Sequence, residues 1–300
     1  MEQQIPLSAD ARADDPEADD ARGDDTHQVA PDLAYKRLAI VNVAFYGLPD
    51  AGDRGWVLID AGLPGTAGRI ARAAGERFGA DARPAAIVMT HGHFDHVSAL
   101  LELAGLWDAP VYAHALERPY LDGTAAYPPP DPTVGGGLMS LMSPLFPRNP
   151  IDVGARLHLL PEDGSVPAMP GWRWVHTPGH APGHVSLWRD ADRMLIAGDA
   201  FITTAQESVY AAATQRPELH GPPMYFTPDW ESAKSSVERL AALEPEVAVT
   251  GHGRAMQGAE MRAALHTLAR DFDRVAMPDH GKYVLHPVTA QDGSAYPPPR

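Results

Sequence analysis

The chain has 300 residues, a formal net charge of −15 and no cysteine. The missing cysteine excludes disulfides, thiolate metal ligands and a cysteine nucleophile, and no apolar run approaches the ~18 residues of a membrane-crossing helix. Ten Asp/Glu against two Arg in residues 1–32 supply −8 of the charge, so the remainder carries an ordinary −7; a net acidic chain is a poor match for nucleic acid, which is gripped by Lys and Arg.

Residues 1–33 alternate Ala with Asp and Glu and hold few large apolar side chains. Such a segment buries too little surface to offset its ordering entropy, which predicts a disordered acidic tail. It is also the opposite of a secretory signal. The composition therefore predicts a soluble, cytoplasmic protein.

From Leu38 the pattern changes. Residues 38–46 and 56–59 read as two strands joined by a Gly/Pro/Asp turn, with Asp60 closing the second. Residues 66–78 read as a helix that carries Ile70, Ala73, Ala74 and Phe78 on one face. Residues 85–89 form a short continuous apolar run, the mark of a buried strand. Val97, Leu100, Leu101 and Ala104 then recur at helical spacing, with Gly105 as the expected stop. Residues 111–113 read as a strand.

Residues 122–150 differ in character. They contain a Pro-Pro-Pro and a Gly-Gly-Gly run, followed by Leu138, Met139, Leu141, Met142, Leu145 and Phe146. So long an irregular insertion suggests a lid or a binding loop, and its Met/Leu/Phe content suggests an adaptable apolar surface. Packing of these residues onto the core is the plainer alternative. Strands follow at 156–160, 172–176, 185–188, 194–197 and 246–250, and helices at 230–243 and 259–272. Strands in two batches, each followed by helices, predict two sheets packed face to face with helices outside.

Between the strand at 85–89 and the next helix lies His91-Gly92-His93-Phe94-Asp95-His96. Imidazole nitrogens and carboxylate oxygens suit zinc and similar divalent ions, and a loop held by rigid elements is where ligands gather. An exposed His-rich turn with no ligand is the bland alternative. Three further polar residues stand where a buried strand gives way to a loop, each beside glycine: His180, Asp199 and His252.

With these residues in this order, roughly residues 38–280 resemble the metallo-β-lactamase superfamily of hydrolases. The resemblance implies an α/β, four-layer αββα sandwich of two mixed β-sheets, with metals at one edge. It implies that His91, His93 and His180 hold one ion, that Asp95, His96 and His252 hold a second, and that Asp199 bridges them. Two divalent ions, zinc before iron or manganese, would activate a hydroxide for attack on a carbonyl or phosphoryl centre. Asp95 would also orient that hydroxide and handle its proton, making it the candidate catalytic residue. His184 is assigned to support, because Pro and Gly around it preclude a helix pairing it with His180. Asp60 is assigned to buttressing through hydrogen bonds. His114, His158, His176, His220, His266 and His286 are read as structural, and His280 as a residue that could reach the site mouth.

Some branches of the superfamily fit less well. The chain lacks the cysteine that some true β-lactamases use. The insertion holds one basic residue, Arg148, where ribonuclease Z carries an RNA-gripping arm. Many acyl-homoserine lactonases place Tyr three residues after the bridging Asp; here that position is Ile202, and Tyr210 or Tyr225 would have to substitute. The expected domains are an acidic tail (1–33), a hydrolase domain (34–285, with the lid-like insertion 122–150) and a C-terminal tail (286–300). The expected substrate is a small-molecule ester, lactone or thioester with a hydrophobic portion. Nucleic acid and membrane are not expected as partners, and a homodimer is left open. A persulfide dioxygenase-like enzyme with one iron and a phosphodiesterase of the same fold are the alternatives.

Overall fold

The structure is a computed structural model that describes residues 4–14, 23–204 and 217–299. Among these, the chain runs through β1 (Ile5–Pro6), β2 (His27–Ala30), β3 (Leu33–Leu38), β4 (Val41–Tyr46), β5 (Val57–Ile59), β6 (Ala86–Val88), β7 (Val111–Ala113) and β8 (Leu157–Leu159). It continues through β9 (Trp172–His176), β10 (Val185–Arg189), β11 (Met194–Gly198), β12 (Glu218–Leu219), β13 (Val247–Thr250) and β14 (Met256–Gln257).

Two mixed sheets result. The larger has the order β2-β3-β4-β5-β6-β7-β8, antiparallel up to β5 and parallel beyond it. The smaller has the order β14-β13-β11-β10-β9, with β11 and β13 parallel. Strand alternation sends one face of each sheet inward. Leu33, Tyr35, Val57, Ile59 and Val88 of the larger sheet meet Val185, Leu187, Ile196 and Val249 of the smaller in one buried layer.

The outer faces are covered by amphipathic helices. Ala67–Phe78 and Leu100–Trp107 lay Ile70, Phe78, Leu100 and Leu103 on Val43, Phe45, Leu58 and Ile87. Trp230–Ala241 and Gly258–Arg270 lay Val237, Leu240, Leu265 and Leu268 on Trp188, Leu195 and Ala248. The layers are therefore αββα, as the strand batches imply. Among the described residues no helix is long and apolar enough to cross a membrane.

Three local expectations need correction. The run 38–46 is not one strand. β3 and β4 are a hairpin that turns at Ala39, whose φ is +60°, and Ile40. Gly105 does not end its helix. The helix continues to Trp107, which packs into the core, and stops at Asp108 in the left-handed region with φ +45°.

The acidic segment 1–33 is ordered where it is described. Its described residues carry β1, β2 and the first residue of β3, and β1 pairs with β12. Asp14 accepts from Arg254 at 3.0 Å, Asp24 pairs with buried Arg77 at 3.4 Å, and Asp25 pairs with buried Lys36. Asp14, Asp24 and Asp25, which read as part of a solvated tail, pair with cations of the domain. The C-terminal segment also packs. Ala295 is fully buried and accepts from the Tyr120 hydroxyl at 2.7 Å.

Candidate metal centre

Each of the seven candidate residues leaves the end of an element at the same edge of the sandwich. The loop after β6 carries His91 and His93, and the single turn Phe94–Val97 that follows carries Asp95 and His96. The β9–β10 connection supplies His180, the end of β11 leads into Asp199, and the end of β13 leads into His252. Parallel β5, β6 and β7, and parallel β11 and β13, all end on this side. That is why residues 161 positions apart in the chain meet.

The side chains converge in three overlapping groups. His91, His93 and His180 form one; His91, His96 and Asp199 a second; Asp95, His96 and His252 a third. In each group one ligand atom per residue lies within 4.8 Å of the others. All seven residues are buried. Asp199 Oδ2 lies 3.0 Å from His252 Nε2, 3.4 Å from His180 Nε2 and 3.5 Å from His96 Nε2, so this carboxylate is the hub.

The outward nitrogens are held by neighbours. His96 Nδ1 is 2.9 Å from Asp60 Oδ2, His252 Nδ1 is 2.6 Å from the Ile40 carbonyl, and His91 Nδ1 is 3.1 Å from Thr90 Oγ1. His180 Nδ1 is 3.3 Å from Thr227 Oγ1. These contacts leave the Nε2 atoms of the four rings for the site, the usual arrangement in metal-ligating histidines. The site's Nε2 atoms of His91 and His96, and Asp199 Oδ1, are buried without a hydrogen-bond partner. A buried polar atom without a partner is costly. All three belong to His91, His96 and Asp199, one of the groups above, and such unmet polar atoms fit a bound cation.

The electrostatics agree with that fit. Burial lowers the basicity of His91 and His180 well below that of ordinary imidazole, and of His93 to about 3, so these rings are neutral donors. Burial pushes the Asp95 carboxyl up. Burial also opposes ionisation of Asp199, but His252 and His96 outweigh it and hold that carboxyl well below the usual range. At His96 burial disfavours charge, yet Asp199, Asp60 and Asp95 together raise the ring well above its ordinary value. The carboxylates thus create a field that favours positive charge at the centre of the cluster.

Asp60 and His184 act as the sequence suggests. Asp60 sits at φ +61°. Its carboxylate accepts from the Thr90 amide at 2.8 Å, the Thr90 hydroxyl at 2.8 Å and His96 at 2.9 Å. A non-glycine residue in this region is strained and persists where surrounding bonds over-determine it. His184 Nε2 accepts the Asp199 amide proton at 2.9 Å, so its Nδ1 donates to Thr177 Oγ1 at 2.8 Å. With both nitrogens engaged, His184 supports the Asp199 backbone. Gly251 is another necessity of the site, because a Cβ there would lie 2.0 Å from Asp199 Oδ1.

Other sequence candidates fall outside the cluster. His280 is exposed and bonds the Thr133 carbonyl at 2.9 Å. His114 stacks on His176 at 4.4 Å, and His266 pairs with Glu244. Tyr225 is buried in the core beside Phe226, at a ring distance of 4.9 Å. Tyr210 lies outside the described residues.

The sequence reading missed Glu117 and Tyr127. Both are buried against the loop of His91 and His93, and burial pushes Glu117 up to about 7. No spacing rule links a Glu after β7 to that loop, so only the fold reveals the pair.

Comparison with known proteins gives one family. The model described as "Metallo-beta-lactamase superfamily" matches residues 38–252. "Probable metallo-hydrolase YflN" of Bacillus subtilis (strain 168) is 51% identical over 232 residues, covering 77% of this chain and 88% of the relative. A metallo-beta-lactamase family protein of Thermus thermophilus, TTHA1429, superposes with a TM-score of 0.54 at 21% identity, covering 82% of this chain and 81% of its own. The BLEG-1 B3 metallo-beta-lactamase superposes with a TM-score of 0.52 at 24% identity, covering 74% and 93%. These two superpositions speak to the fold alone.

Proposed function

The chain belongs to the metallo-beta-lactamase superfamily, and from that premise we propose that it is a dinuclear metal-dependent hydrolase. The observation that carries the reading is the convergence of seven buried His and Asp residues, three of which hold a polar atom without a hydrogen-bond partner. In this reading His91, His93 and His180 hold one ion, Asp95, His96 and His252 hold the other, and Asp199 is shared. Two divalent ions, most simply zinc, supply Lewis acidity and lower the pKa of a water to about 7 when bound.

The chain's own residues then have distinct tasks. Asp199 occupies the centre, oriented by His184 through its backbone amide. Asp60 fixes the His96 ring and the Thr90 backbone. Asp95, whose carboxylate burial makes more basic, takes the proton of the attacking water at a carboxylate oxygen. The buried rings exclude bulk water, which strengthens each electrostatic contact.

An ester, lactone or thioester with a hydrophobic portion suits the surroundings best. Phe226 lies 5.0 Å from the His93 ring, and Phe146 of the insertion stacks on Phe94 at 5.3 Å. Beyond Phe146 the insertion exposes Leu138, Leu141 and Leu145. Phe226 in turn lies 6.2 Å from Phe146, so aromatic rings connect the cluster to this insertion. The similarity to a probable metallo-hydrolase supports hydrolysis as the reaction type.

A second reading has one observation in its favour. His91, His96 and Asp199 form a group of two histidines and one carboxylate, a set that suits non-haem iron. It corresponds to a mononuclear iron oxidoreductase of the persulfide dioxygenase type. A panel of esters, lactones, thioesters and phosphodiesters on zinc- and iron-loaded protein separates the readings. Turnover of carbonyl substrates that rises with acyl length supports the first. Oxygen consumption on a persulfide with one iron per chain supports the second, and turnover of phosphodiesters alone points to the nuclease-like branch.

A further inference from the structure

Glu117 ends the single turn Ala115–Glu117 after β7 and is fully buried. Its carboxylate is shared between two loops. Oε2 accepts from the Gly92 amide at 2.9 Å and Oε1 accepts from the Gly183 amide at 2.8 Å. Gly92 stands between His91 and His93, on the loop after β6 of the larger sheet. Gly183 belongs to the connection that carries His180, between β9 and β10 of the smaller sheet. One carboxylate therefore links the loops that bear all three histidines of one cluster group.

Tyr127 reinforces the link. Its hydroxyl donates to Glu117 Oε2 and lies 2.8 Å from the Gly92 amide. Its ring stacks on Tyr120 at 3.7 Å and lies 4.2 Å from the His93 ring. The approach is close on both sides. A Cβ at Gly92 would meet Tyr127 Oη at 2.9 Å, and a Cβ at Gly183 would meet the Glu117 amide nitrogen at 2.7 Å.

A buried carboxylate is a costly space filler. Its value lies in two acceptor oxygens aimed at different N–H groups, each bond being stronger when the group is ionised. We infer that Glu117 is a positioning residue that sets the separation of His91 and His93 from His180 and thereby the affinity of their metal position. Glutamine is its near-isostere with one acceptor and one donor. In its place the NH2 group would face one of the two backbone N–H groups, and one loop would be released. A residue that only filled space would tolerate the change.

The inference rests on the metal-centre reading, and the test separates the two. Zinc affinity and stoichiometry are measured by chelator competition on the 300-residue chain, for the parent, Glu117→Gln and Tyr127→Phe. A cobalt(II) titration followed by visible absorption reports the coordination. Circular dichroism of the metal-free proteins checks the fold. The expected result is 10–100-fold weaker binding of one ion in Glu117→Gln, a changed cobalt spectrum, and a parent-like metal-free fold. Tyr127→Phe should weaken the same ion by several-fold, and it carries the test if the glutamine variant does not fold. Parent-like affinity in both variants, with the parent binding two ions, overturns the role of Glu117 alone. A parent that binds no zinc or cobalt overturns the metal-centre reading and this inference with it.

Discussion

Histidines in this chain divide by what holds their second nitrogen and what surrounds their rings. His96 faces Asp60, His252 faces a backbone carbonyl, and each leaves Nε2 for the cluster. His114 and His176 instead stack on each other away from the cluster. Burial, then the neighbouring His176, lowers His114 to about 4, and burial lowers His176 as well. Between pH 6.5 and 4 the unfolded chain binds a proton at His114 that the folded chain resists. Stability from this residue is therefore present above the unfolded value and is lost as pH falls from 6.5 toward 4. His114→Asn keeps a side-chain acceptor for the Leu116 amide but does not titrate. Urea unfolding at stepped pH should show the parent losing about 1 kcal/mol relative to this variant across that window, after allowance for solvent screening. A pH-independent difference would contradict the assignment.

At the scale of elements, the site is a set of strand ends, and this is what made it legible in the sequence. Apolar runs ending in His91, Asp199 and His252 mark buried strands that stop at polar residues, and the structure ends β6, β11 and β13 just before those residues. The turn at Ala39 was hidden because β3 and β4 are both buried on nearly every residue, so the apolar pattern runs on through the break. Gly105 misled because its helix is held by Leu103, Ala104 and Trp107 packing inward, which outweighs glycine's propensity cost of about 1 kcal/mol. The strand-end geometry also makes a prediction. Gly251→Ala would drive a methyl into Asp199 Oδ1 and against His96 Cε1, at 2.0 and 2.9 Å in the present geometry. The expected outcome is a loss of turnover of about 100-fold, consistent with displacing a group by ~1 Å, with a native circular dichroism spectrum. Parent-like turnover would show that Asp199 is not central.

Over the whole molecule, two sheets from successive parts of the chain pack face to face, and their loops meet at one edge. The αββα layering followed from the two batches of strands. The fate of the acidic segment did not follow, because its partners are distant in sequence. Lys36, Arg77 and Arg254 give no local sign that Asp25, Asp24 and Asp14 will reach them. Glu117 was illegible for the same reason, being joined to Gly183 across 66 positions. Asp24 and Arg77 are both buried. Removing one partner of a buried ion pair strands the other, so Asp24→Ala should destabilise the fold by about 3 kcal/mol, read as a lower midpoint in urea. A change below about 0.5 kcal/mol would mean that the segment contributes little to the fold.

The most direct test of the account is metal content measured together with hydrolysis, on purified protein and on Asp199→Ala. The account predicts about two divalent ions per chain, ester, lactone or thioester hydrolysis abolished by chelation and restored by zinc, and a folded Asp199→Ala protein with neither full metal content nor turnover. One iron per chain with oxygen consumption, or hydrolysis that survives both chelation and Asp199→Ala, would contradict it.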